Sequence, residues 1–246
     1  HWNKGVMGNL IDPYRFVPPA EWDYDHDFSS DDGLWSFANA SSTNQVDTSA
    51  GVLRTDTTSS NAGGTNRACS GDIMEGTVSD TAWCLQIDSL NYSNKAGPAQ
   101  NSFGMSASNY SMPSYQAASP SGWQPADLLY YYMYSNGSAD DTHLGYTAGG
   151  SDGGGNQTTS EVVISASTNY FIQTIRTSAT SATGQTGTNS DFTSPAIDIE
   201  NTIIPSSIGG LRYAKFGNLI YTGFSEGAMV GSFSAFRFAD GVTTPP

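Results

Sequence analysis

Basic residues are scarce in this chain: nine Lys and Arg stand against 23 Asp and Glu over 246 residues, a net charge of −14. Neutralising a phosphate backbone requires a basic stripe, so a nucleic-acid partner is excluded, and an anionic membrane surface with it. Long hydrophobic runs are missing as well. The longest, Leu128 to Tyr134, is short and rich in tyrosine, whereas a bilayer span needs about 20 apolar residues. No window of a dozen residues repeats apolar side chains at i, i+3, i+4 and i+7, which removes the amphipathic helix as a building unit. Cysteine occurs only at Cys69 and Cys84. The pair could close a loop of about 15 residues worth roughly 3 kcal/mol in the chain-entropy picture, or stand as two buried thiols. The spacing leaves both open, and no compartment follows from it.

What the chain does have is a succession of short strand signals. Gly51 to Thr55, Trp83 to Asp88, Ser102 to Ser106, Asp127 to Ser135, His143 to Ala148 and Glu161 to Ala166 are bounded by Gly, Ser, Asn or Asp clusters. Asn169 to Thr177 carries bulk on both faces, the mark of a strand in the middle of a sandwich. Ala196 to Ile204 alternates Ile197, Ile199 and Asn201 with Asp198, Glu200 and Thr202, and Pro205 stops it. Ser206 to Gly210 then turns the chain into Leu211 to Thr222. A last strand spans Ala228 to Phe238, with Met229, Gly231, Phe233, Ala235 and Arg237 on one face, and Asp240-Gly241 closes it with a turn. The fold class is all-β. A sandwich of this length is common as one domain, and no linker divides the middle.

The order of these segments carries a resemblance. Ile204-Pro205-Ser206-Ser207-Ile208-Gly209-Gly210-Leu211-Arg212-Tyr213-Ala214-Lys215-Phe216-Gly217-Asn218, followed by Phe236-Arg237-Phe238-Ala239-Asp240-Gly241-Val242-Thr243, resembles the concanavalin A-like lectin/glucanase domains. More narrowly it is similar to the versions in viral, phage and environmental surface proteins. The resemblance is good over Tyr170 to Thr243 and looser from Phe28 to Thr168. It implies a jelly-roll β-sandwich of two antiparallel sheets.

Residues 1–26 read differently, as an extended N-terminal arm ahead of a sandwich domain at 27–246. Trp2, Tyr14, Phe16 and Trp22 are punctuated by Asp12-Pro13 and Pro18-Pro19 without alternation. Such a segment is too apolar for a free tail. It either wraps its own sandwich as an extra edge or anchors on a neighbouring subunit, with proline lowering the entropy lost on docking. The chain opens on His1 rather than Met, which fits either removal of a leader or a start inside a longer product.

Chemistry-bearing patterns are weak. Asp23, Asp25 and Asp27 alternate onto one strand face, a geometry that suits a hard cation such as Ca²⁺. The run lacks the Gly and terminal Glu of a calcium loop, however, so solvated surface is the better reading and no metal or cofactor is expected. The Glu-x-Asp-x-Glu strand of the related glucanases has no counterpart: Glu21 to Asp25 precedes the sandwich, and Asp198-Ile199-Glu200 lacks a partner acid. A first-residue histidine is similar to that of copper-dependent polysaccharide monooxygenases, but the strand order resembles another sandwich, and His26 and His143 are scattered. No nucleophile elbow is present. Gly149 to Asn156 is a flexible loop rather than a phosphate cradle, since no helix pattern follows.

Aromatic residues carry the remaining signal. Trp123 sits in a Pro-, Ser- and Gly-rich loop, Tyr110 and Tyr115 in the polar loop before it, and Tyr130, Tyr132 and Tyr134 share one strand face. Rings with a hydroxyl suit both sugar faces and protein interfaces. The expectation is therefore a non-catalytic, lectin-like structural or adhesion protein at a virion surface or in the extracellular space, as a capsid-decoration or tail-associated subunit. Its partners would be other virion or surface proteins, in an oligomer, with glycans as a further partner by analogy. The alternative is a secreted carbohydrate-binding module or glycoside hydrolase of the same superfamily.

Overall fold

The computed structural model describes residues 21–37, 44–56, 67–93, 99–107, 127–135, 140–148, 151–152, 165, 167–192, 196–220 and 230–246. These form strands and connecting loops only, with no helix among them. The expected arm residues 1–20, with Trp2, Tyr14 and Phe16, lie outside the described residues, as do 161–164 and 166 of the expected Glu161 to Ala166 strand.

Two antiparallel sheets face each other. The larger is built on β6 (Trp83–Ser93), which pairs with β11 (Tyr170–Ser178) on one side. Beyond β11 follow β12 (Ser181–Gly187) and β13 (Ala196–Ile203). On its other side β6 takes two partners in succession, β16 (Ala235–Asp240) and β15 (Val230–Phe233). β16 leads to β1 (Tyr24–His26), and β15 to β4 (Val52–Asp56) and β3 (Asn44–Asp47). The second sheet runs β10 (Ser151–Asp152), β9 (Asp140–Ala148), β8 (Leu128–Ser135), β7 (Ala99–Ser106), β14 (Tyr213–Ile220), β5 (Arg67–Gly71) and β2 (Trp35–Phe37). The larger sheet thus takes in Tyr24–His26, which sequence placed in the arm.

Alternation explains the core. Leu85, Ile87, Ile172, Phe236 and Phe238 of the first sheet and Phe103, Tyr131, Leu144 and Phe216 of the second are fully buried in one cluster. Phe216 meets Phe233 edge-on at 4.9 Å, and Phe233 meets Phe28 at 5.4 Å, so aromatic contacts join the layers. Burial on both faces of β11, with Ile172 and Thr174 inward and Gln173 outward, agrees with its place between β6 and β12.

The expected strand Ala228 to Phe238 is interrupted. Ser234 breaks it into β15 and β16, donating its N–H to the Asp88 carbonyl at 3.0 Å. Across the ladder Ser89 adopts a φ of 52°, a left-handed bulge in β6. Inward parity switches on both strands, which lets Leu90 and Ile87 face the core together and brings Phe233 in beside Phe236. Strict alternation had put Phe233 on the face of Arg237.

The two cysteines are free and buried, Cys69 in β5 of one sheet and Cys84 in β6 of the other. Of the two sequence alternatives, separate thiols is the one realised.

Candidate functional site

The tyrosine strand divides by register. Leu129 and Tyr131 point into the core, so Tyr130 takes the outer side, in one row with Gly145, Gly104, Lys215 and Ser70. Tyr130 is only 2% exposed. Its ring lies on the bare Cα of Gly145, where a Cβ would stand 2.6 Å from the ring Cζ, so this tyrosine packs against the sheet. Burial pushes the Lys215 amine in the same row down to about 7. Tyr132 and Tyr134 occupy the register positions opposite His143 and Asp141. Their side chains, with all of Tyr110, Tyr115 and Trp123, lie outside the described residues. Trp22 is half-buried just ahead of β1.

The acidic run near the N-terminus folds its own loop. Asp27, Asp31 and Asp32 accept the backbone N–H groups of Ser29, Gly33 and Leu34 at 2.9 to 3.0 Å, each closing an Asx turn. Asp25 accepts from Arg237 Nε at 3.1 Å, and Asp23 from the Asp240 N–H at 2.6 Å. His26 accepts the Phe28 N–H on Nδ1 at 3.1 Å. Among the described residues no group of three His, Cys, Asp or Glu is placed to hold a metal ion. Asp198 and Glu200 sit in β13 opposite Thr186 and Gly184, neither of them an acid. The spelling Gly-Gly-Ser-Asp-Gly at 149–153 is no elbow either, since Ser151 opens β10 and pairs with Ala148 in a β-ladder.

One end of the sandwich is organised by Arg176, whose side chain is wholly buried. Nε donates to the Ser178 carbonyl at 3.3 Å, and Nη2 to the Ala179 and Ile208 carbonyls at 3.1 and 2.7 Å. The Ile208-Gly209-Gly210 turn is fixed from the far side by Asp127, which accepts the Gly209 N–H at 3.1 Å, and by Asp80, which accepts the Gly210 N–H at 3.0 Å. Gly210 has a φ of 64°, which explains the second glycine. Nearby, Arg212 forms a fork with both Asp72 oxygens at 3.0 and 3.2 Å and stacks over Tyr213 at 5.1 Å. Among the described residues that line the adjoining hollow beside Leu34 and Glu75, Arg212 is the one cation, and it is paired.

The outer face of the larger sheet presents a different arrangement. Gln86, Gln173 and Gln185 are directly opposed across β6, β11 and β12, forming a transverse row of carboxamides about 4.8 Å apart. Arg237 and Asp25 extend the row onto β16 and β1. Above the three glutamines lies a cavity of about 500 Å³, walled by Ser190, Asp191 and Phe192 of the β12–β13 loop and by Pro245 and Pro246. Gln86 Nε2 donates to Asp88 Oδ1 at 3.1 Å and to the Ser190 carbonyl at 3.2 Å, tying the loop to the floor. Gln173 is 4% exposed and lines the cavity, yet its carboxamide makes no hydrogen bond with any described residue. Phe192 holds a left-handed φ of 53°, and its ring packs on Gly187, where a Cβ would come within 3.1 Å. Sequence reasoning missed this row because the three glutamines meet only through strand register.

The fold is the concanavalin A-like, lectin-type jelly roll. No protein-family model and no curated protein matches the chain. Among solved structures it is similar to the carbohydrate recognition domain of Emp47p, with a TM-score of 0.56 at 13% identity, covering 89% of this chain and 96% of that one. It is similar as well to the CBM2 module of the evolved Dit of Lactobacillus casei BL23 phage J-1, with a TM-score of 0.55 at 12% identity, covering 92% and 97%. A third similarity is to the xyloglucan PUL GH43B of Bacteroides ovatus, with a TM-score of 0.52 at 12% identity; 90% of this chain is covered but only 40% of that protein.

Proposed function

We propose that this chain is a non-catalytic carbohydrate-binding protein displayed at a virion or other extracellular surface. The observation that carries the reading is the likeness to a whole carbohydrate recognition domain, 96% of which this chain covers. The phage Dit module, matched over 97% of its length, supports a virion setting. A non-catalytic role is supported by the engagement of the acids: Asp23, Asp25, Asp27, Asp72, Asp80, Asp88 and Asp127 each accept from an arginine, glutamine or backbone donor of the fold. Retaining or inverting glycoside hydrolysis needs two carboxyls facing each other across a cleft.

A glycan array and a reducing-sugar assay on the purified chain test the proposal. Binding without turnover is expected. Turnover would favour the second reading, a glycoside hydrolase of the lectin/glucanase superfamily, which the partial likeness to GH43B supports. Silence in both assays rejects the carbohydrate reading and leaves a structural role. The anchoring part is tested by removing residues 1–21: a truncated chain that still assembles on its particle overturns it.

A further inference from the structure

We infer that the glutamine-floored cavity on the outer face of the larger sheet is a binding site for a neutral saccharide. The inference rests on the carbohydrate reading above and assigns it a place. A carboxamide offers an N–H donor and a carbonyl acceptor side by side, the complement of two neighbouring sugar hydroxyls, each of which both donates and accepts. Three such groups stand in one row at strand spacing. That of Gln86 has its nitrogen already engaged by Asp88 and Ser190, which leaves its oxygen as the acceptor for a ligand. Gln173 supplies the independent sign of a ligand site: it is more than nine-tenths buried, it lines the cavity, and its carboxamide has no hydrogen-bond partner among the described residues. Its polar atoms are not sealed in by the fold but open to the cavity, where a ligand can pair with them.

The walls narrow the ligand class. Phe192, Pro245 and Pro246 give the cavity an apolar side against which the C–H face of a pyranose can lie. Phe192 keeps its left-handed backbone, a strained state for an aromatic residue, and so stands over the floor instead of folding away. With Asp191 in the wall and a net charge of −14, sugars bearing carboxylate or sulfate are disfavoured. A volume of about 500 Å³ is within the range of roughly 300–1,000 Å³ found for small-ligand sites.

The test titrates the full chain with galactose, glucose, mannose and N-acetylglucosamine, following the glutamine side-chain amide signals by NMR alongside calorimetry. At least one sugar is expected to shift the Gln173 and Gln185 signals. Gln173→Met keeps the volume and deletes the amide, so it should weaken that sugar at least tenfold with an unchanged or raised melting midpoint. Phe192→Ala should weaken it as well, and Gln185→Met, at a half-buried position, repeats the test at a second member of the row. A sugar that binds the wild type and these variants equally overturns the site while sparing the carbohydrate reading. If no sugar binds the wild type here or on the array, both fall.

Discussion

The Tyr131 hydroxyl lies 2.8 Å from Oγ1 of Thr186, a hydrogen bond that joins β8 of one sheet to β12 of the other through the core. On the way the Tyr131 ring fills the space above Gly184, where an added Cβ would collide with the ring carbons. Gly184→Ala is therefore expected to destabilise the fold by about 1–3 kcal/mol through overpacking. Tyr131→Phe should cost about 1 kcal/mol by leaving the Thr186 hydroxyl unpaired. Urea unfolding at constant m-value reads both, and a neutral Gly184→Ala would show that the sheets adjust their separation freely.

Arg176 and Asp80 form a second long-range relationship, in which the arginine matters for its carbonyl contacts more than for its charge partner. Arg176→Leu strands the Ser178, Ala179 and Ile208 carbonyls and should cost about 3–5 kcal/mol. Asp80→Asn keeps an acceptor for the Gly210 N–H and removes only an ion pair at 4.0 Å to an exposed carboxylate. Its effect should stay under about 1 kcal/mol. Equal losses for the two variants would mean that the ion pair dominates.

Sequence revealed the strands that carry their own bulk and concealed those that borrow it. β11 and β14 announce themselves through Tyr170, Ile172, Ala214 and Phe216, which are core residues in the structure. β12, reading Ser-Ala-Thr-Gly-Gln-Thr-Gly, has only Ala182 and the small Thr186 to bury, because Tyr131 from the facing sheet fills the space at Gly184. No local pattern can report a partner's side chain. The same limit hid the glutamine row, whose members are neighbours through two independent ladder registers. The Asp240-Gly241 and Ile208-Gly209-Gly210 turns were legible because positive φ at Gly241 and Gly210 demands glycine. The parity switch opposite Ser234 was not, since the bulge that causes it is at Ser89 on another strand.

Burial decides the behaviour of both thiols. Cys69 and Cys84 are at most 1% exposed; desolvation pushes Cys84 up to about 12 and Cys69 higher still. Thiolate is the reactive form, so neither should be alkylated by iodoacetamide in the native protein at pH 8, and both should be in denaturant. Mass spectrometry under non-reducing conditions should find two reduced cysteines. Rapid native labelling of one would place it at the surface and contradict its position in the ladder.

Lys215 gives the fold a pH dependence of definite sign. Desolvation in its row between Ser70 and Gly104 lowers its folded value to about 7, against about 10.4 for an unfolded lysine. Cys69 offers no charge to hold the ammonium, because its own burial keeps it a neutral thiol in this range. Between those two values the unfolded chain binds one more proton than the folded one, so this group makes stability rise with pH from about 7 to about 10.4. Below pH 7 both states are protonated and the full penalty of the buried charge remains. The gain from pH 7 to 10 should be on the order of 3–5 kcal/mol. Lys215→Met removes the charge while keeping the length, so at pH 7 the variant should unfold at higher urea than the wild type, with the gap closing toward pH 10. The difference between the two stability curves isolates this lysine from other titrating groups, and parallel curves would mean that its ammonium is solvated in the native state.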